Sequence, residues 1–113
     1  MFRELAILTL VQLGAPTEYD RARGYIDTRE YVLAASERCG YALDEEGLKI
    51  LAKLRAVEHL DLSDKGPLAS YIAMKRATFK QAFTDDWCSG AFSEYGRHIR
   101  TNAYSMPALL RRR

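Results

Sequence analysis

Cysteine and histidine are scarce in this chain, with only Cys39, Cys88, His59 and His98 among 113 residues. None falls in a C-x-x-C or H-x-x-x-H pair, so the spacing spells out no zinc framework. The two cysteines read as small, unlinked core residues. No metal or cofactor is expected. Long apolar runs are also missing. The stretch "LAILTLVQL", Leu5 to Leu13, falls short of the roughly 18 residues needed to span a bilayer. A single Arg3 precedes it and no small-residue cleavage site follows, so it reads as a core helix rather than a secretory signal. The expectation is a cytoplasmic protein with no membrane partner. Nucleophile elbow, phosphate loop and H-E-x-x-H are all absent. "TDDWCSG" gathers Asp85, Asp86 and Cys88, but adjacent carboxylates point to different sides of a helix and form no acid/base pair by default. The chain is not expected to be an enzyme.

What is present suits one compact helical domain over residues 1–113. Hydrophobic residues make up 48% of the chain, enough for a single core, and the twelve aromatics are spread along it. Charge is divided unevenly. Residues 1–64 hold 8 Lys/Arg against 12 Asp/Glu, whereas residues 65–113 hold 9 against 3. Such asymmetry points to a polyanion-binding end, or to halves that attract each other within a dimer.

Helical signals recur. Arg3 to Leu13 carries Leu5, Leu8 and Val11 on one face and closes at Gly14-Ala15-Pro16. Thr17 to Ile26 reads as a short helix capped by Thr17, interrupted by Gly24. In "DTREYVLAASERCG", Asp27 and Glu30 make a capping-box pattern and Gly40 a terminator. Asp44 caps the next helix, Glu45 and Glu46 sit in its first turn, and Leu48, Leu51, Leu54, Val57 and Leu60 form a stripe. These two segments read as an αα-hairpin. No strand is expected. The fold class is all-α, a bundle of five or six helices.

Two readings compete for "PLASYIAMKRATFKQAF", Pro67 to Phe83. In one, a single helix starts at Pro67 and buries Leu68, Ile72, Phe79 and Phe83, with Lys75 intruding on the apolar seam. In the other, the chain bends near Ala73–Lys75 and residues 63–84 form a helix-turn-helix. The string Leu68-Ala69-Ser70-Tyr71-Ile72-Ala73-Met74-Lys75-Arg76-Ala77-Thr78-Phe79 resembles the helix-turn-helix of bacterial and phage repressors, which runs roughly L-A-x-x-[LI]-G-[VM]-x-x-x-T-[IV]. Ala73 stands where that family has glycine, so the turn would lack easy access to positive φ.

The resemblance implies a second helix lying in the major groove of duplex DNA. Lys75 and Arg76 would approach phosphate or guanine, Lys80 and Gln81 the next bases, and Thr78 a phosphate. Further on, "SEYGRHIRTNAYSMPALLRRR" offers Arg97 and Arg100. It ends in a basic C-terminal tail, residues 105–113, with Arg111, Arg112 and Arg113, suited to non-specific grip on phosphates. The expected function is a small DNA-binding transcriptional regulator, dimeric because symmetric operators suit two-fold proteins. The alternative is a helical protein–protein interaction module, an accessory or inhibitor protein of phage or plasmid type without nucleic-acid binding. That reading rests on Tyr19, Tyr25, Tyr95 and Tyr104 remaining at the surface.

Overall fold

The computed structural model describes residues 17–101 and 105–113. The expected helix Arg3–Leu13 lies outside the described residues. Among the described residues, α-helices Glu18–Cys39 (α1), Glu45–Leu54 (α2), Ala69–Ala82 (α3) and Cys88–Tyr95 (α4) dominate, with a 3-10 turn at Asp85–Trp87. The chain is mostly helical but not all-α. Four two-residue strands appear: β1 (Ala42–Leu43), β2 (Ile99–Arg100), β3 (Ser105–Met106) and β4 (Leu110–Arg111). β1 pairs antiparallel with β4, and β2 with β3.

Helix α1 is the axis of the fold. Thr17 caps it as expected, its hydroxyl accepting from the Asp20 N–H while Asp20 accepts from the Thr17 N–H, both at 3.1 Å. The bond from the Thr17 N–H, helped by the Thr17 hydroxyl nearby, holds the Asp20 carboxyl below the usual carboxylate range. The helix does not restart at Asp27. It runs through Gly24, whose interior position costs only about 1 kcal/mol against alanine, and ends at Gly40 in the left-handed region at φ 76°. Ala22, Ile26, Val32 and Ala35 recur at three- to six-residue steps and are fully buried.

Helix α2 is capped by Asp44, which accepts from the Gly47 N–H at 2.9 Å. The expected continuation to Leu60 does not occur. Ala56 takes φ 56°, its N–H bonds to Lys53 O and the Val57 N–H to Ala52 O, which is a Schellman stop with alanine in the glycine position. Leu54 therefore leaves the core and is 53% exposed, while Val57 turns inward and is fully buried.

Helix α3 is continuous from Ala69 to Ala82, so the turn expected at Ala73–Lys75 is absent. Ala73 faces solvent rather than a helix crossing. The intruding Lys75 is matched by α1, where Asp27 lies 3.5 Å from its Nζ and also accepts from Tyr71 Oη at 2.6 Å. With those partners the straight helix is satisfied, and nothing drives a bend.

Two further expectations are corrected. Cys39 and Cys88 are joined by a disulfide, Cα atoms 5.7 Å apart, linking the end of α1 to the start of α4. Residues 105–113 are not a loose tail. Met106, Leu109 and Leu110 are buried, and Asp44 N donates to Leu109 O at 2.8 Å. This segment crosses α2 so closely that a Cβ on Gly47 would sit 1.9 Å from Ala108 O.

Candidate interaction groove

Each residue expected to read DNA has a position that can be compared with that role. Lys75 is half-buried between Asp27 and the rings of Tyr71 and Phe79, its Nζ 5.7 and 5.8 Å from their centroids. Arg76 binds Glu30 with two bonds, Nε to Oε1 at 2.7 Å and Nη2 to Oε2 at 3.3 Å. The Glu30 side chain is fully buried on α1 and also accepts from Arg29 Nε at 3.1 Å. That carboxylate pushes the Arg76 guanidinium up from its ordinary value, the hydrogen bond contributing most. Thr78 Oγ1 donates to Met74 O at 2.9 Å, turning its hydroxyl back on the helix. Lys80 and Gln81 are exposed, as is much of the Arg76 side chain, and Lys80 shares its shallow groove with Glu30, Glu37 and Arg76.

The terminal arginines are similarly engaged. Arg111 lies 3.8 Å from Asp44, Arg112 stacks 4.4 Å above the Phe92 ring, and Arg113 donates from Nε to Gly40 O at 2.8 Å. Arg113 thus caps the carbonyls at the end of α1. Arg97 and Arg100 are exposed, on either side of the β2 start. Asp85 pairs with Arg38 at 2.9 Å, and Cys88 is held in the disulfide. The structure brings Arg76 and Lys80 together and scatters the rest.

The most apolar open cavity lies on the other flank of α1. It measures about 330 Å³ and is walled by Tyr25 of α1, Ala52 of α2 and the loop residues Val57, Leu60 and Leu62. Lys49, Lys53 and Glu58 stand at its rim. The Schellman stop makes this groove, because it swings Val57 and Leu60 off the helix and across to Tyr25. Tyr25 is itself buried, its Oη within 3.4 Å of Leu48 O, and burial pushes its phenol up from the ordinary value. His59 Nε2 meets the Glu18 carboxylate and ties the same loop to the start of α1. Lys49 lies 3.7 Å from Glu46, whereas Lys53 and Glu58 have no ion-pair partner among the described residues. Ile50 and Leu54, one turn apart and 46% and 53% exposed, form a smaller apolar pair on α2's opposite flank.

Sequence reasoning placed Val57 and Leu60 in a core stripe, and Val57 is indeed fully buried; Tyr25, expected at the surface, is buried too, and all three line the groove. Of the other tyrosines expected at the surface, Tyr19 is exposed and Tyr95 is half-buried against Tyr31. Tyr104 lies outside the described residues. Glu30, read as part of a capping box, carried no signal that it would anchor Arg76 from 46 residues away. No protein-family model, curated protein or solved structure matches the chain.

Proposed function

We propose that this chain is a helical protein–protein interaction module whose groove between α1, α2 and the 57–62 loop receives an apolar side chain of another protein. The observation that carries the reading is the groove itself: apolar walls, open to solvent, at the small end of ligand-site volumes, where one or two side chains fit better than a cofactor. Two of its three rim charges are cations and Lys53 is unspent, so the partner segment carries a carboxylate beside its apolar anchor. Isolated surface hydrophobes are ordinary, but an apolar concavity with a charged rim is the pattern of a docking site.

The duplex-reading expectation loses support on the same geometry. Lys75 and Arg76 are spent on Asp27 and Glu30, and no bend presents a reading helix. The cytoplasmic expectation loses support from the Cys39–Cys88 bridge, since disulfides persist mainly in oxidising compartments. No helix among the described residues is long and apolar enough to cross a membrane.

The test is selection of a displayed random-peptide library on the intact protein, with the fully surface-level variant Lys53→Glu as counter-target. Enriched peptides should pair an aliphatic or aromatic anchor with Asp or Glu, and should lose about tenfold in affinity on Lys53→Glu. Enrichment of nothing that competes at the groove, together with salt-sensitive binding to duplex DNA, would return the regulator reading to first place.

A further inference from the structure

We infer that the Cys39–Cys88 disulfide is a reversible latch that holds α4 onto the rest of the fold. The argument begins with how the two parts are built. Helices α1 and α2, the loop after α2 and the C-terminal segment supply nearly all of the fully buried apolar side chains, among them Ala22, Ile26, Val32, Leu51, Val57, Leu109 and Leu110. Helix α4 supplies one, Ala91. It is eight residues long, has no side-chain cap at its start, and sits far below the length at which a helix persists alone. Its attachment is therefore tertiary, and the one covalent element is the bridge at its first residue.

The remaining attachments of α4 are few and mostly polar or aromatic, whereas residues 105–113 are anchored on their own by buried Met106, Leu109 and Leu110 and by the β1–β4 pairing. Tyr41 Oη reaches Cys88 O at 3.3 Å and its ring meets Phe92 at 4.9 Å; Tyr95 lies 5.6 Å from Tyr31 and its carbonyl accepts from Leu109 N at 2.8 Å. The last of these is a backbone link between α4 and the C-terminal segment. Arg112 stacks on Phe92 and Arg113 caps Gly40, the neighbour of Cys39, so both terminal arginines are parked on the two partners that the bridge joins. Releasing the bridge loosens both parking places together.

The bridge is also reachable. Both cysteines are half-buried rather than enclosed. A dithiol reductant attacks one sulfur, forms a mixed disulfide, and closes to its own cyclic disulfide. Two electrons and two protons pass to the chain, leaving Cys39 and Cys88 as thiols. Trp87, the chain's single tryptophan, adjoins Cys88 and packs on Tyr31 and Phe83 at 6.4 and 5.3 Å, so it reports the event.

The experiment follows amide hydrogen exchange of the full chain, oxidised and then reduced with dithiothreitol, alongside Trp87 fluorescence and re-oxidation. The expected result is that amides of α4 lose at least about tenfold more protection on reduction than those of α1, α3 and residues 105–113. Trp87 emission should shift to the red, and re-oxidation should restore both. The double variant Cys39→Ser, Cys88→Ser should match the reduced protein. Loss of protection by the same factor in all helices would make the bridge a plain structural staple and overturn the latch. Unchanged protection in α4 would overturn it as well.

Discussion

The two flanks of α1 are built on opposite principles. Toward α3, the helix presents Asp27 and Glu30, and each meets a cation: Lys75 for one, Arg76 for the other. The seam is closed, specific and polar. Toward α2 and the 57–62 loop, the same helix presents Tyr25, and the neighbours are aliphatic side chains that stop short of filling the space. That flank is open and chemically simple. The difference teaches where binding capacity remains in a small fold. Cations that look free in the sequence are consumed where a facing helix carries acids in register, whereas a helix that stops early leaves an opening walled by core side chains.

Breaking the covalent link should produce the largest effect. Across 49 residues of separation, loss of the Cys39–Cys88 bridge is expected to cost about 4 kcal/mol, read as a lower denaturant midpoint in the Cys39→Ser, Cys88→Ser variant. A midpoint unchanged by the double variant would mean that the seam end of α1 is held by packing alone.

The contrast between flanks is sharpened by a pair of single changes. Arg76→Ala strips a buried carboxylate of one of its two cations and is expected to cost about 2 kcal/mol, because Arg29 still serves Glu30. Lys53→Ala, at the open groove, should stay within about 0.5 kcal/mol. Equal effects in equilibrium urea unfolding would erase the distinction drawn between the two flanks.

The seam also has a titratable marker. Burial, and then the bond to Asp27, push the Tyr71 phenol up from 10.0 to about 12. The folded state thus holds this proton more tightly than the unfolded state. Its contribution is fully present below the unfolded value of 10.0 and is lost as pH rises toward about 12. Tyr71→Phe should flatten the fall in stability over that window, as followed by thermal unfolding at stepped alkaline pH. An unaltered slope would show that Tyr71 does not donate to Asp27 in solution.

The smallest expected effect tests how the groove is made. Ala56 holds φ 56° at the position where a Schellman stop ordinarily has glycine, so Ala56→Gly should stabilise by about 0.5–1 kcal/mol. Destabilisation would indicate that the alanine methyl packs against the loop it creates.

Much of the local architecture was legible in residues alone. Thr17, Gly40 and Asp44 act where capping chemistry puts them, since the side-chain-to-backbone bonds involved span three or four residues. The stop after Leu54 was not legible, because alanine carries no mark of left-handed backbone. Nor was the candidate groove, whose lining alternates between residues that a regular helix would have kept in one stripe. The bend expected near Ala73 failed for a related reason. Lys75 on an apolar seam looked like a break in the pattern, and only the facing Asp27, 48 positions earlier in the chain, turns it into a fit.

By itself, then, the sequence determined that this is a mostly helical chain, where α1 and α2 begin, and that no helix among the described residues is a membrane span. Those are properties of contiguous residues and of their periodicity. Which cysteines meet, which charges cancel and which apolar side chains stay uncovered were decided only in the tertiary structure. Each depends on partners more than twenty positions apart, and nothing local records that pairing.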